Sequence, residues 1–375
     1  MRVLITGADG FIGKNLCQHL AERRDVEVAT FTRADGLESL PRLAAETDFV
    51  FHLAGVNRPQ DPQEFVTGNK DLTNALLQAL EETAHGRRVP VVLSSSIQAA
   101  LDNPYGASKH AAEQAMAGYA ARSGSPIYVF RLPNVFGKWS RPHYNSAVAT
   151  FCHNVARDLP ITINDPTAEV RLVYVDDVVA TFLGLLDGKP AFVDGEGFST
   201  VAPIYTTTVG EIARLIDGFR GSRTTLTTDR VGSGLVRALY ATYLSYLPPR
   251  LFSYPVPRHG DPRGVFVEML KTPDCGQFSY FTAHPGVTRG GHYHHTKTEK
   301  FLVIQGRARF RFRHVQTNET YELVMTGEAA EIVETVPGWA HDVTNIGDND
   351  LVVMLWANEV FDRARPDTIA WPLDS

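Results

Sequence analysis

Tyr105 and Lys109 stand four residues apart, the spacing that brings two side chains to one face of an α-helix. A lysine held there can lower the pKa of the phenol and grip a nicotinamide ribose, while the phenol donates a proton to a carbonyl as hydride arrives. The hydroxyls of Ser94-Ser95-Ser96 end a strand pattern just upstream, where one of them can hydrogen-bond the same oxygen and stabilise a developing alkoxide. A second set lies near the other end of the chain. His292 and His294 are two apart, so a strand turns both to one face and His295 to the other. With Glu299 and the distant His341 they form a donor set for one divalent metal, Zn²⁺ or another first-row ion. A histidine bound to Zn²⁺ has lost the lone pair a catalytic base needs, so in this set His292 is a ligand.

The reductase chemistry needs a cofactor site, and Gly7-Ala8-Asp9-Gly10-Phe11-Ile12-Gly13 supplies its pattern between an apolar run and a helical one. Gly7 permits the tight turn, Gly10 lets backbone N–H groups reach a pyrophosphate, and Gly13 allows close helix packing; Phe11 and Ile12 open the helix whose N-terminus faces the phosphates. Phe31-Thr32-Arg33 ends the second strand. Arg33 there points to the 2′-phosphate of NADPH, with Asp35 nearby as the opposing signal. Leu53 and Ala54 end the third strand, where small residues let adenine and ribose pack, and His52 reads as structural.

Strand and helix patterns alternate to position these groups: strands at 2–6, 26–32, 48–53, 89–94 and 127–131, and helices at 11–23, 62–83, 105–122 and 147–157. Thr208-Val209-Gly210-Glu211 reads as a capping box opening a further helix. From about Tyr240 prolines and aromatics interrupt the helical pattern, and short alternating segments follow at 300–305, 308–313, 320–324 and 351–357. The fold class is therefore α/β plus all-β: a Rossmann-type doubly wound parallel sheet over 1–245, then an antiparallel barrel over 246–375. A chain of 375 residues that is 43% hydrophobic can bury two such cores. The net charge of −6, without polybasic runs, favours neither a nucleic-acid nor a membrane partner. Cys17, Cys152 and Cys275 are too few and scattered for a disulfide framework, and 3–6 is too short for a signal peptide, so a cytoplasmic chain folding from residue 1 is expected.

Over about 1–240 these residues resemble the extended short-chain dehydrogenases/reductases, which act mostly on nucleotide-sugars; 131–137 and Tyr174-Val175-Asp176-Asp177 add to the likeness. The resemblance implies that Ser96 is the catalytic hydroxyl and that Asn134 and Asn145 lie near the substrate. Only eight residues separate Ser96 from Tyr105, which keeps Ser95 open. The run Gly286 to Gly306 and His341-Asp342-Val343-Thr344-Asn345 resemble the two cupin motifs, a jelly-roll β-barrel, although Pro337 and Gly338 are adjacent where one residue usually intervenes. Residues 261–268, 289–293 and Lys300 resemble deoxysugar 3,5-epimerases, a likeness that makes Lys300 an enolate stabiliser. Along nearly its whole length the chain resembles the CapF-like family of bifunctional capsular-polysaccharide and O-antigen enzymes. That likeness implies a UDP-linked 4-keto deoxysugar substrate, C3 epimerisation in the cupin and NADPH-dependent C4 reduction, giving UDP-2-acetamido-2,6-dideoxy-β-L-talose. Alternatives are a plain 4-reductase or 4-epimerase with a structural cupin, and an NADP-sensing binding protein, against which the intact Tyr105/Lys109 pair counts. A homodimer through the β-domain is expected, because uncovered sheet edges otherwise invite aggregation.

Overall fold

A computed structural model describes residues 1–257, 259–261, 264–266, 270, 276–359 and 364–374. Cys275 and residues 262, 263, 267 and 268 of the epimerase-like run lie outside the described residues. The chain forms two compact units, one of Met1–Ser146 with Val170–Thr206 and one of Ala147–Glu169 with Thr207–Ser375.

In the first unit five parallel strands lie in the order Glu27–Phe31, Arg2–Thr6, Phe49–His52, Val91–Ser96 and Ile127–Leu132. Arg2–Thr6, Phe49–His52 and Val91–Ser96 are buried on both faces over most of their length, as in a sheet that helices cover on each side. Val3, Ile5 and Phe51 pack with Leu16, Leu20 and Phe182, while Leu4, Val50 and Leu93 pack with Leu76, Leu80 and Met116. The chain leaves Arg2–Thr6 for a neighbour on one side and returns to Phe49–His52 on the other. This reversal opens a crevice at the carboxyl ends of the strands.

The long helix expected over 62–83 is interrupted: Gln63–Phe65 leads into a wide π turn at Val66–Asp71 before Leu72–Thr83. Asn69 in that turn bonds Val56 N (2.8 Å), Val56 O (3.0 Å) and Ser108 Oγ (2.9 Å), so side-chain bonding to a neighbouring loop accompanies the irregular winding.

The second unit contains two five-stranded antiparallel sheets besides a short antiparallel pair, His259–Asp261 with Gly264–Phe266. One has the order Ser253–Pro255, Glu331–Glu334, Glu299–Gln305, Leu351–Ala357, Gln277–Ala283; the other has Thr320–Thr326, Arg307–His314, Trp339–Asn345, Thr288–Tyr293, Ile369–Ala370. Phe301 of the first meets Phe310 of the second at 5.7 Å between ring centroids, part of the shared core.

Helices belong to this unit too. Thr208 Oγ1 accepts from Glu211 N at 3.2 Å and opens Val209–Thr225, as the capping pattern indicates. Helical structure does not end near Tyr240, however. A helix runs over Gly234–Ser245 and buries Tyr240 and Tyr243 against Phe219, at 5.1 and 6.1 Å between centroids. The aromatics that looked like a break are its packing face, and the prolines come only after it. With Ala147–Val155 these helices sit in the same compact unit as the sheets.

Candidate active sites

The crevice of the first unit encloses about 890 Å³ and is lined by every cofactor, substrate and reductase residue expected there: Gly7, Gly10, Phe11, Ile12, Gly13, Arg33, Leu53, Ala54, Ser96, Tyr105, Lys109, Asn134 and Asn145. Gly7 adopts φ +71°, and a Cβ on it would come within 2.6 Å of Ala54 N. Any side chain there would push the first and third strand ends apart. A Cβ on Gly13 would stand 2.2 Å from Gly7 O, so the helix beginning at Phe11 is pressed against the turn itself. Gly10, the N-cap, contributes no side-chain cap, which leaves the first helical turn suited to an anion. Asp35 is turned back on its own loop: its carboxylate accepts from Thr32 N (2.7 Å) and Thr32 Oγ1 (2.9 Å), bonds that hold its pKa below the ordinary value. The acidic signal beside Arg33 is thus occupied locally.

Asn103 Oδ1 accepts from Gly106 N at 2.8 Å and starts the helix Pro104–Ser123, which carries both Tyr105 and Lys109. Burial raises the Tyr105 pKa, opposed by a hydrogen bond with Ser96, so the phenol is kept protonated. Burial does the reverse to Lys109, lowering it to about 8 against the pull of Glu113, and its ammonium donates to Ser94 O at 3.0 Å. The lysine therefore does not outweigh burial at Tyr105, contrary to the expectation that it would lower the phenol's pKa. The two serines divide their roles. Ser95 Oγ donates to Glu113 at 2.5 Å, whereas Ser96 faces Tyr105. Glu113 also binds Arg131 through two bonds of 3.0 and 2.8 Å, a buried pair the sequence reading did not find although Glu113 follows Lys109 by one helical turn. Gly55, which ends the small-residue run His52-Leu53-Ala54-Gly55, faces the same lysine: a Cβ there would lie 2.8 Å from Asn69 Oδ1 and 2.9 Å from Lys109 Nζ, so a side chain would displace the tips of both. His52 bridges Thr6 (2.6 Å) and Thr73 (2.8 Å), and burial pushes its pKa down to about 3, consistent with a neutral structural histidine.

In the second unit His292, His294, Glu299 and His341 bring one ligand atom each within 4.8 Å of one another. The strand Thr288–Tyr293 shifts register between Gly290 and His292 and ends before His294, so His294 is placed by a loop rather than by strand alternation. Glu299 Oε2 lies 3.1 Å from His294 Nε2 and 3.5 Å from His341 Nε2. Burial pushes the His292 pKa down to about 3, helped by His341 and His294, and lowers that of His341. Neither ring nitrogen of buried His341 has a hydrogen-bond partner. His292 and His341, whose charged forms burial disfavours, converge with His294 on a carboxylate, a donor set that fits a divalent cation.

Lys300 is not part of this cluster. It follows Glu299 on the strand and so projects from the opposite face, where its ammonium pairs with Glu334 and donates to Tyr254 Oη at 2.9 Å. Arg223, from the helix Val209–Thr225, pairs with the same Glu334. Lys297 approaches the cluster instead, 2.9 Å from Glu299 Oε1.

Residues 3–198 match the NAD dependent epimerase/dehydratase family, and residues 259–369 match the polysaccharide biosynthesis C-terminal domain. The UDP-2-acetamido-2,6-beta-L-arabino-hexul-4-ose reductase of Pseudomonas aeruginosa is 62% identical over 370 residues, covering 99% of this chain and 98% of that protein. The capsular polysaccharide assembling protein CapF from Staphylococcus aureus matches in structure with a TM-score of 0.68 and 42% identity, over 99% of this chain and 100% of that one. The chain belongs to the CapF-like family. A UDP-glucuronic acid 4-epimerase from Bacillus cereus, 21% identical with a TM-score of 0.51, covers 59% of this chain and 83% of its own, and shares the fold there. The CapF-like match spans both units, so the reductase crevice and the histidine cluster both fall within it.

Proposed function

We propose that this CapF-like chain is a two-step nucleotide-sugar enzyme. The β-unit inverts C3 of a UDP-2-acetamido-2,6-dideoxy-4-keto-hexose, and the Rossmann unit reduces the C4 ketone with NADPH. The product is UDP-2-acetamido-2,6-dideoxy-β-L-talose, on the route to UDP-N-acetyl-L-fucosamine. The observation that carries the reductase assignment is the convergence of Ser96, Tyr105 and Lys109 on the crevice that the glycine turn opens. The glycine turn, where a Cβ on Gly7 or Gly13 would strike backbone, and the uncapped helix start at Gly10 fit a dinucleotide pyrophosphate, and NADPH when bound supplies the hydride. Tyr105 donates its proton to the C4 oxygen, Ser96 hydrogen-bonds that oxygen, and Lys109 orients the ribose. Asn134 and Asn145 are assigned to the sugar nucleotide.

A 4-keto group acidifies the neighbouring C3–H, so epimerisation passes through an enolate. His292, His294, Glu299 and His341 would hold a Zn²⁺ ion, whose chemistry is Lewis-acid stabilisation of that charge. The reading places the enzyme in the cytoplasm as a homodimer; among the described residues no helix is long and apolar enough to cross a membrane.

The test is to supply the UDP-4-keto sugar in D₂O without nicotinamide, follow C3 by NMR, and then add NADPH. Deuterium should enter C3 first, and NADPH should be consumed on its addition. No oxidation of NADPH would overturn the reductase reading. Reduction without deuterium incorporation would leave a plain 4-reductase with a structural β-unit, a reading the seclusion of Lys300 favours.

A further inference from the structure

The last described segment of the chain is built into the histidine cluster. Ile369–Ala370 pairs antiparallel with Thr288–Tyr293, placing Ala370 opposite His292, and Trp371 N donates to Gly291 O at 2.7 Å. Just before this strand Asp367 makes two different kinds of contact. Its backbone carbonyl accepts from His294 Nδ1 at 2.5 Å. Its carboxylate accepts from three consecutive backbone N–H groups, His295 (2.8 Å), Thr296 (2.7 Å) and Lys297 (2.7 Å), and from Thr296 Oγ1 at 3.1 Å.

The carbonyl has no proton to give, so Nδ1 of His294 carries one, which leaves Nε2 as the ring nitrogen turned toward the cluster. That nitrogen faces Glu299 Oε2 at 3.1 Å. A ring nitrogen and a carboxylate oxygen at this separation need a proton or a cation between them. The carboxylate meanwhile fixes 295–297, the loop that joins two of the ligands and that strand pairing leaves unsupported.

We propose that Asp367 is a positioning residue for the metal centre: it fixes the tautomer of His294 through its carbonyl and the ligand-bearing loop through its carboxylate. This rests on the metal reading given above. The C-terminal segment is then a built part of the site, outside both stretches of ligand sequence.

Full-length Asp367→Asn tests it, because the amide keeps the shape but turns one acceptor into a donor facing backbone N–H groups. Zn²⁺ affinity is measured by competition with a chromophoric chelator, and the thermal midpoint is recorded with and without Zn²⁺. The variant should bind Zn²⁺ about 10- to 100-fold more weakly. Its metal-free midpoint should stay near that of the wild type, so the rise on adding Zn²⁺ shrinks. Co²⁺ substitution, read by visible absorption, should show an altered ligand geometry. Unchanged affinity with an unchanged Co²⁺ spectrum would overturn the proposal, as would a metal-free midpoint that falls as far as the loaded one. Wild-type protein that takes up neither ion would instead remove the metal reading itself.

Discussion

Tyr105 can donate only while protonated, and burial holds it so. Replacing it by phenylalanine should lower NADPH oxidation at least about 100-fold while C3 exchange continues, since the phenol proton serves reduction alone. Loss of both activities in a folded variant would show that the steps are not separable. Lys109 sets the alkaline limit. Its folded pKa of about 8 lies below the ordinary 10.5, so the folded state disfavours the ammonium, and the charge is lost as pH rises through about 8. Glu113 holds it up, and buried His52 stays neutral beside it. The kcat/KM for NADPH should fall above about pH 8, and Glu113→Gln should move that limb to lower pH. A limb that stays in place would sever Glu113 from Lys109. Arg33, with Asp35 tied to Thr32, should select the 2′-phosphate: Arg33→Ala should cut the NADPH-to-NADH preference roughly 10- to 100-fold, the worth of a charged hydrogen bond. An unchanged preference would place selectivity elsewhere.

Elements with an unbroken period were legible from residues alone. The strand at Arg2–Thr6, the glycine turn and the helix Pro104–Ser123 occur where the patterns put them, because local spacing decides them. The partners of those elements were not. Arg131 reaches Glu113 across 18 residues and Asp367 reaches His294 across 73, and no local pattern encodes such contacts. Lys300 stands apart from the histidine cluster for a different reason: strand parity sets it on the face opposite Glu299, a placement the epimerase likeness does not carry. Its surroundings suit a structural role. Lys300 and Glu334 have side chains 2% and 1% exposed, with Arg223 as a third member. Lys300→Met should therefore destabilise the second unit by about 3–5 kcal/mol, the cost of breaking a buried pair, and Glu334→Leu added to it should recover part of the loss. Chemical denaturation of both variants checks this; a Lys300→Met protein of wild-type stability would return Lys300 to the list of catalytic candidates.

At the scale of the molecule the question is which surface closes an assembly. Open sheets expose unpaired backbone groups, and proteins shield such edges with charge, proline or shortness. Three outer strands of the β-unit are shielded in these ways: Thr320–Thr326 carries Glu322, Ser253–Pro255 ends in proline, and Ile369–Ala370 spans two residues. Among the described residues Gln277–Ala283 is not. It is seven residues long, has no charged side chain, pairs on one side with Leu351–Ala357, and leaves Tyr280 72% exposed. A two-fold axis beside this strand would pair it antiparallel with its copy, closing the assembly at two chains and satisfying both edges at once. The full-length protein should therefore sediment as a dimer. Tyr280→Lys, which places a charge on the exposed face of that strand, should shift it to monomer at micromolar concentration, with NADPH binding little changed because the cofactor crevice belongs to the other unit. Sedimentation velocity of the two proteins decides it: a monomeric wild type removes the dimer, and a variant that remains fully dimeric moves the interface away from this edge.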